Sequence, residues 1–238
     1  MKKIVFISDF FVGQVAGGAE ICDDILISEF IKRGDKVCKF NSQEFTNKHF
    51  HLYEKMGFVF LVSNFIGLSD KVRKLMQLYS DKYCIIEHDH KYISTRNPSD
   101  FKDFKAPKHM VVNRDFYKSA KQVFCQSAKH AEVLSINLNI DNVTNLGCSL
   151  WSSEQLDLIR NSIQEKNNKA MIINDPNVIK GTSEAISVCK SRHIEYDLIE
   201  KLPYEKYLSQ LGKYDKFVFF PKTLESFCRV VLEARMLG

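Results

Sequence analysis

The chain has 238 residues, more than one typical domain needs, so its length points to one large domain or two modest ones. Hydrophobic residues make up 45% and charged residues 26%, a balance that allows a buried core and excludes disordered and fibrous classes. With 34 Lys and Arg against 29 Asp and Glu, the net charge of +5 is mild for a nucleic-acid binder, so no nucleic-acid partner is expected, but it suits anionic ligands such as nucleotide phosphates. The seven cysteines (Cys22, Cys38, Cys84, Cys125, Cys148, Cys189 and Cys228) contain no C-x-x-C pair and mostly sit in apolar runs. They read as reduced, core-filling thiols of a cytoplasmic protein. The start, MKKIVFISDF, has an apolar run too short for a secretion signal, and no segment approaches the roughly 18 apolar residues of a membrane span.

Short apolar runs alternate with stretches of helical period, the pattern of parallel-sheet α/β units. KIVFIS (3–8) predicts a buried strand. The helix AEICDDILISEFIKRG follows, with Ile21, Ile25, Ile27 and Phe30 broadly on one side and Gly34 as its stop. DKVCKF and GFVFLVS predict strands. A helix capped by Ser69 runs through DKVRKLMQLY, and YCIIE (83–87) is the next strand. KHMVVN predicts another strand, and FYKSAKQVFCQSAKHAEVL reads as helix, strand, helix. Past NVTNLGCSLW the chain turns polar, which places a domain boundary near residue 149. The expected domains are 1–149 and 150–238. In the second, AMIIN, YDLIE and KFVFFP predict strands, with helices at GTSEAISVCKS, at YEKYLSQLGKY and from about 225 to 237.

Ligands of such sheets bind at the carboxyl ends of the strands, which directs attention to four loops. DFFVGQVAGGAE places Gly17 and Gly18 before a helix, where bare backbone and free N–H groups suit an anion. It is not the G-x-G-x-x-G of a dinucleotide site, and the competing reading is a turn with no ligand. EHDHKY sets Glu87, His88, Asp89 and His90 at a strand end. His88 there can bond a sugar hydroxyl or act as an acid or base, unless the loop only satisfies itself. DPNVIKGTSEA puts Lys180 next to a helix start, a fit for a diphosphate or else a solvated lysine beside a cap.

The fourth loop is TLESFCRVVLEARMLG. A helix beginning at Glu225 would set Glu225 and Glu233 roughly 12 Å apart along its axis. The N–H groups of Ser226, Phe227 and Cys228 would then face a diphosphate at its positive end, and the carboxylates would accept hydroxyl hydrogen bonds. The alternative is that Glu225 is a plain first-turn charge and that Glu233 pairs with Arg229, four residues earlier.

LESFCRVVLEARMLG resembles the Glu-x7-Glu segment of family 4 retaining glycosyltransferases. GGAE, SAKQVFCQS, NVTNLGCS and KGTSEAI fall in that family's order and approximate positions, so the resemblance spans nearly the whole chain. It implies a GT-B fold of two Rossmann-like α/β domains, the second incomplete. It also implies transfer of a sugar from a nucleoside-diphosphate sugar with retained configuration, without a metal or another cofactor. The first domain would take a saccharide, lipid or protein acceptor and the second the donor. Glu225 would contact the donor sugar, with His88 near the reacting carbon as the other catalytic group. Lys180, Phe227 and Cys228 would lie at the diphosphate, Glu233 at the ribose, and Gly17 and Gly18 near phosphate and sugar. Asp175 stands where the family usually has an arginine, and Cys228 where it commonly has glycine. Two other readings remain open: a non-catalytic nucleotide-sugar or carbohydrate-binding protein, or a sugar-nucleotide epimerase. The lysine-containing loop KYISTRNPSDFKDFKAPKH admits weak peripheral contact with a membrane, but its interleaved Asp100 and Asp103 favour a solvated loop.

Overall fold

The computed structural model describes residues 1–15 and 17–238 and divides into two compact units, Met1–Leu150 and Trp151–Gly238. In the first unit six strands form one parallel sheet: β1 (Lys3–Ser8), β2 (Lys36–Asn41), β3 (Val59–Val62), β4 (Tyr83–Glu87), β5 (Gln122–Cys125) and β6 (Val143–Asn145). Their order is β2-β1-β3-β4-β5-β6, so the winding reverses between β1 and β3. A parallel sheet is covered on both faces, which is why β1 reads as an unbroken apolar run. Ile4, Val5, Phe6 and Ile7 are all buried.

The helix α1 (Gly18–Lys32) returns from β1 and ends just before Gly34, whose positive φ of 83° provides the left-handed residue of the stop. Between β2 and β3 the chain forms α2 (Asn47–Lys55), which the sequence reading did not anticipate. Only Phe50 of its nine residues is buried, so it lacks an apolar stripe. A capping box of Thr46 and His49 starts it, and Phe50 stacks on Phe60 of β3 at 4.7 Å. The helix α3 (Asp70–Gln77) begins where Ser69 Oγ accepts the Val72 N–H. The helices α4 (Arg114–Ser119) and α5 (Ala128–Leu138) flank β5 as expected.

KHMVVN is not a strand. Lys108–Met110 forms a 3-10 turn, and Val111 makes only an isolated antiparallel bridge to Ile93. Its apolar run is too short to compete with the turn that Pro107 favours just before it. Conversely, the short edge strand β6 comes from a polar stretch that periodicity does not mark.

The second unit opens with α6 (Ser153–Asn161), capped by Ser152 and Gln155. Its sheet is parallel, in the order β8-β7-β9, with β7 (Ala170–Ile173) between β8 (Tyr196–Ile199) and β9 (Lys216–Phe217). The helices α7 (Thr182–Ser191), α8 (Tyr204–Leu211) and α9 (Arg229–Met236) complete it. Alternate residues of β7 serve opposite faces. Met171 packs with Ile159, Leu208, Leu211, Tyr214 and Leu237, whereas Ala170 and Ile172 pack with Ala185 and Cys189. Among the described residues no helix is long and apolar enough to cross a membrane.

Candidate functional site

In the first unit the strand reversal between β1 and β3 opens the crevice in which ligands of such sheets bind. Asp9, directly after β1, fastens this edge. Its carboxylate accepts the backbone N–H groups of Ile66 (3.0 Å) and Gly67 (2.9 Å) and the Ser42 hydroxyl, while its carbonyl accepts from Asn41 (2.8 Å). The loops following β1, β2 and β3 are thereby held together.

Gly17 is the N-cap of α1, with extended backbone and no side-chain cap, so the first N–H groups of Gly18, Ala19 and Glu20 have no partner within the helix. Glu20, in that first turn, is buried, and its carboxylate lies where a side chain at position 17 would begin. The two glycines therefore give the bare helix start that was expected, with an acid standing beside it.

His88, the first residue after β4, is buried, and its Nε2 lies 3.0 Å from Asp23 Oδ1. Asp23 comes from the second turn of α1 and is 1% exposed; its other oxygen accepts the Ser8 hydroxyl at 3.4 Å. Sequence reasoning missed Asp23, although one signal was there. It lies four residues before the buried Ile27 and three after Glu20, which puts one member of the DD pair on the inner face of an amphipathic helix.

The rest of EHDHKY turns inward and satisfies itself. Glu87 is wholly buried and accepts from Lys91 Nζ (3.0 Å), from the backbone N–H groups of Asp89 (3.0 Å) and Lys91 (3.2 Å), and from the Tyr117 hydroxyl. Burial opposes its charge, but Lys91 and these hydrogen bonds outweigh that and hold its pKa below the usual carboxylate range. Lys91, which the sequence places in a solvated basic loop, is itself buried and also binds Asp89 (2.8 Å) and Asn64 (3.1 Å). A buried carboxylate this close, with Asp89 and Asn64 beside it, offsets part of the cost of taking the lysine's charge out of water. His130 lies against His90, ring centres 4.8 Å apart. Burial first, then the neighbouring His90, pushes its pKa down to about 3.

In the second unit β7 and β9 are parallel neighbours, so the loops after them share one edge. Lys180, from the first loop, and Glu225, from the second, meet there at 3.4 Å, each partly exposed. Two backbone features lock the loops together. The Lys222 N–H donates to the Ile179 carbonyl at 2.8 Å. Gly181 takes φ +69°, and a Cβ there would run into the Phe220 carbonyl. Thr182 is not the cap: its hydroxyl donates to the Ile173 carbonyl at 3.0 Å, and Gly181 occupies the N-cap position.

The final helix corrects one expectation. It starts at Arg229, not at Glu225, with Cys228 as its N-cap. Glu225, Ser226 and Phe227 lie in irregular chain, so the 12 Å helical spacing of the two acids does not apply. The first turn is made by Arg229, Val230 and Val231, not by Ser226 and Phe227, and the Val231 N–H bonds the Cys228 side chain. The segment is drawn off the helical path by side-chain contacts at both ends: Glu225 on Lys180 and Phe227 against Trp151, ring centres 6.4 Å apart. Burial pushes the Cys228 thiol up to about 11, which keeps it a neutral filler.

Glu233 is 2% exposed, and its carboxylate already has partners inside the unit. Oε1 accepts from Trp151 Nε1 (3.0 Å) and from the Tyr204 hydroxyl (2.9 Å), and Arg229 lies 3.7 Å away. Burial raises its pKa, opposed by Trp151, Tyr204 and Arg229. The pairing with Arg229 that the sequence allowed is the one observed, joined by two aromatic donors that no local spacing reveals. Among the described residues no three His, Cys, Asp or Glu side chains gather as metal ligands would.

No family model matches the chain, and no curated protein does. Among solved structures it is similar to a glycosyltransferase from Rickettsia africae ESF-5, with TM-score 0.55 and 11% identity over 99% of this chain and 77% of that one. It is likewise similar to Anabaena HepE in complex with UDP and glucose, with TM-score 0.54 and 14% identity over 100% and 79%. An alpha-glucosyltransferase in complex with UDP gives TM-score 0.51 and 11% identity over 100% and 79%. At such identities the likeness is one of fold: parallel α/β units of the GT-B type.

Proposed function

We propose that this chain is a retaining, metal-independent glycosyltransferase of the family 4 type, using a nucleoside-diphosphate sugar, with UDP as the first nucleotide to test. One observation carries the reading more than any other: Lys180 and Glu225, 45 residues apart, converge at the carboxyl edge of the second sheet and remain reachable from solvent. A cation and a carboxylate side by side suit a donor that presents a diphosphate next to a polyol. The similarity of fold to structures described as UDP complexes supports the same reading.

In this proposal the bond between the anomeric carbon and the diphosphate oxygen breaks, an acceptor hydroxyl oxygen takes its place, and a nucleoside diphosphate departs. Lys180 offsets the charge that grows on the diphosphate, with the chain at Phe227 and Cys228 beside it. Glu225 accepts hydroxyls of the donor sugar. In the first unit, taken by itself, His88 offers a sugar-contacting imidazole at the end of β4. The helix start at Gly17 and Gly18 supplies backbone N–H groups in the first unit, which takes a saccharide, lipid or protein acceptor. Glu233, with its internal partners, serves the fold of the second unit and not the ribose.

The test is a thermal-shift panel of UDP, GDP, ADP and their sugars on the purified chain, followed by donor turnover with a broad set of acceptors. Selective stabilisation by one nucleotide and its sugars, with release of that nucleoside diphosphate, is expected. Lys180→Ala should abolish the shift. If no nucleotide raises the melting temperature at millimolar concentration, the proposal falls. Binding without turnover would favour the non-catalytic alternative.

A further inference from the structure

We propose that Asp23 is the positioning residue for His88: it commits the imidazole to the form that carries its proton on Nε2 and leaves the Nδ1 lone pair for a ligand. The inference rests on the reading of His88 as a sugar-contacting residue, but its physical basis is independent of it. A buried carboxylate accepts and does not donate, so the 3.0 Å contact between Asp23 Oδ1 and His88 Nε2 places a hydrogen on that nitrogen. Among the described residues Nδ1 has no hydrogen-bond partner, and the side chain keeps 5% exposure.

The pair is held from three sides. Asp23 sits on α1, Ser8 ends β1 and its hydroxyl reaches the second oxygen of Asp23, and His88 follows β4 directly. With both oxygens engaged, the carboxylate cannot swing away without losing a buried hydrogen bond. His88 therefore sits on a helix and two strands instead of on a loose loop, the condition for holding a reacting group within a fraction of an ångström. Without Asp23 the ring could adopt either tautomer, and a fraction of the molecules would offer an N–H where the lone pair is needed.

The test is a long-range 1H–15N spectrum of the labelled full-length chain at a pH where His88 is neutral, with its signals identified by their loss in His88→Gln. A protonated Nε2 and an unprotonated Nδ1 are expected. A ring protonated on Nδ1, or an even mixture, would overturn the proposal without any variant. In Asp23→Asn the neutral amide can either accept from or donate to the ring and no longer commits it by charge, so the tautomer populations should shift; an unchanged His88 signal in the folded variant would equally overturn the proposal. If Asp23→Asn does not fold, Ser8→Ala, which frees one carboxylate oxygen, should broaden or shift the His88 signals while leaving the other histidines in place.

The kinetic arm is kcat for donor turnover, expected to fall about 10- to 100-fold in Asp23→Asn with nucleotide affinity unchanged. Equal loss in both would mark Asp23 as merely structural. The two readings fail separately. A ring protonated on Nε2 in a chain that turns over no nucleotide sugar ends glycosyl transfer and leaves the positioning. A ring protonated on Nδ1 in an active enzyme does the opposite.

Discussion

Replacing Glu233 by alanine separates a structural role from a ligand-binding one. The carboxylate is opposed by Arg229, whose side chain is 10% exposed and whose guanidinium lies 4.3 Å from the centre of the Trp151 ring. Removing one partner of a buried ion pair costs about 3–5 kcal/mol, because the other charge is left in a medium that cannot solvate it. Trp151 Nε1 and the Tyr204 hydroxyl lose their acceptor in the same step. These losses share one carboxylate and do not add in full, so about 3–5 kcal/mol is the expected total. Glu233→Gln keeps an acceptor oxygen for the two aromatic donors and should cost about 1–3 kcal/mol. Trp151 is the only tryptophan, so its fluorescence during urea unfolding reports on the second unit alone. At a slope of about 2 kcal/mol per molar urea, Glu233→Ala should lower the midpoint by about 2 M, and UDP affinity of the folded fraction should be unchanged. A normal midpoint combined with a nucleotide affinity lowered about tenfold would refute this reasoning and restore the ribose role.

Burial depresses the pKa of His130 from 6.5 to about 3, so the folded protein keeps this ring neutral while the unfolded chain protonates it. The stability that neutrality allows is full above pH 6.5 and is lost as pH falls toward 3, amounting to about 2 kcal/mol between pH 7 and pH 5. Urea midpoints of wild type and His130→Phe should diverge by that amount; parallel pH profiles would remove the ring from the account. Gly181→Ala forces a side chain into left-handed backbone and onto the Phe220 carbonyl, so the second unit should lose more than about 1–2 kcal/mol. The same change should weaken nucleotide binding, because Lys180 is the preceding residue; binding at wild-type strength would uncouple the turn from the site. Lys91→Met strands the buried carboxylate of Glu87 and should destabilise the first unit by about 3–5 kcal/mol, read by circular dichroism on heating. A variant that melts with wild type would show that Glu87 is not held charged by Lys91.

The alternation of strand and helix was readable because burial on both faces leaves continuous apolar runs such as KIVFIS and YCIIE. Two kinds of element escaped it. The helix α2 buries one phenylalanine and is held by a capping box, and β6 is a three-residue edge strand; neither needs an apolar pattern to form. In the candidate site, residue types at strand ends pointed to His88 and Lys180. Asp23 did not show, and Glu225 was read as a sugar contact and not as the neighbour of Lys180, because the two acids reach His88 and Lys180 from 65 and 45 residues away.

That difference has a physical origin. A spacing such as Glu-x7-Glu fixes a distance only while one helix spans it, and the helix here begins four residues after Glu225. Once the chain leaves the helical path, position is set by what the side chains can reach: Lys180 for the first acid, and Trp151, Tyr204 and Arg229 for the second. Parallel topology does the remaining work. Because β7 and β9 run side by side in the same direction, every loop that follows them emerges on one edge, and Lys180 meets Glu225 whatever lies between them in sequence. In the first unit β3 separates β1 from β4, so Ser8 and His88 share the carboxyl edge of the sheet but are not neighbours on it. The helix returning from β1 closes that gap by laying Asp23 between them. A carboxylate placed by a helix, and bonded on both oxygens, is a firmer support for an imidazole than any residue of the EHDHKY loop, whose other acids are already committed to Lys91.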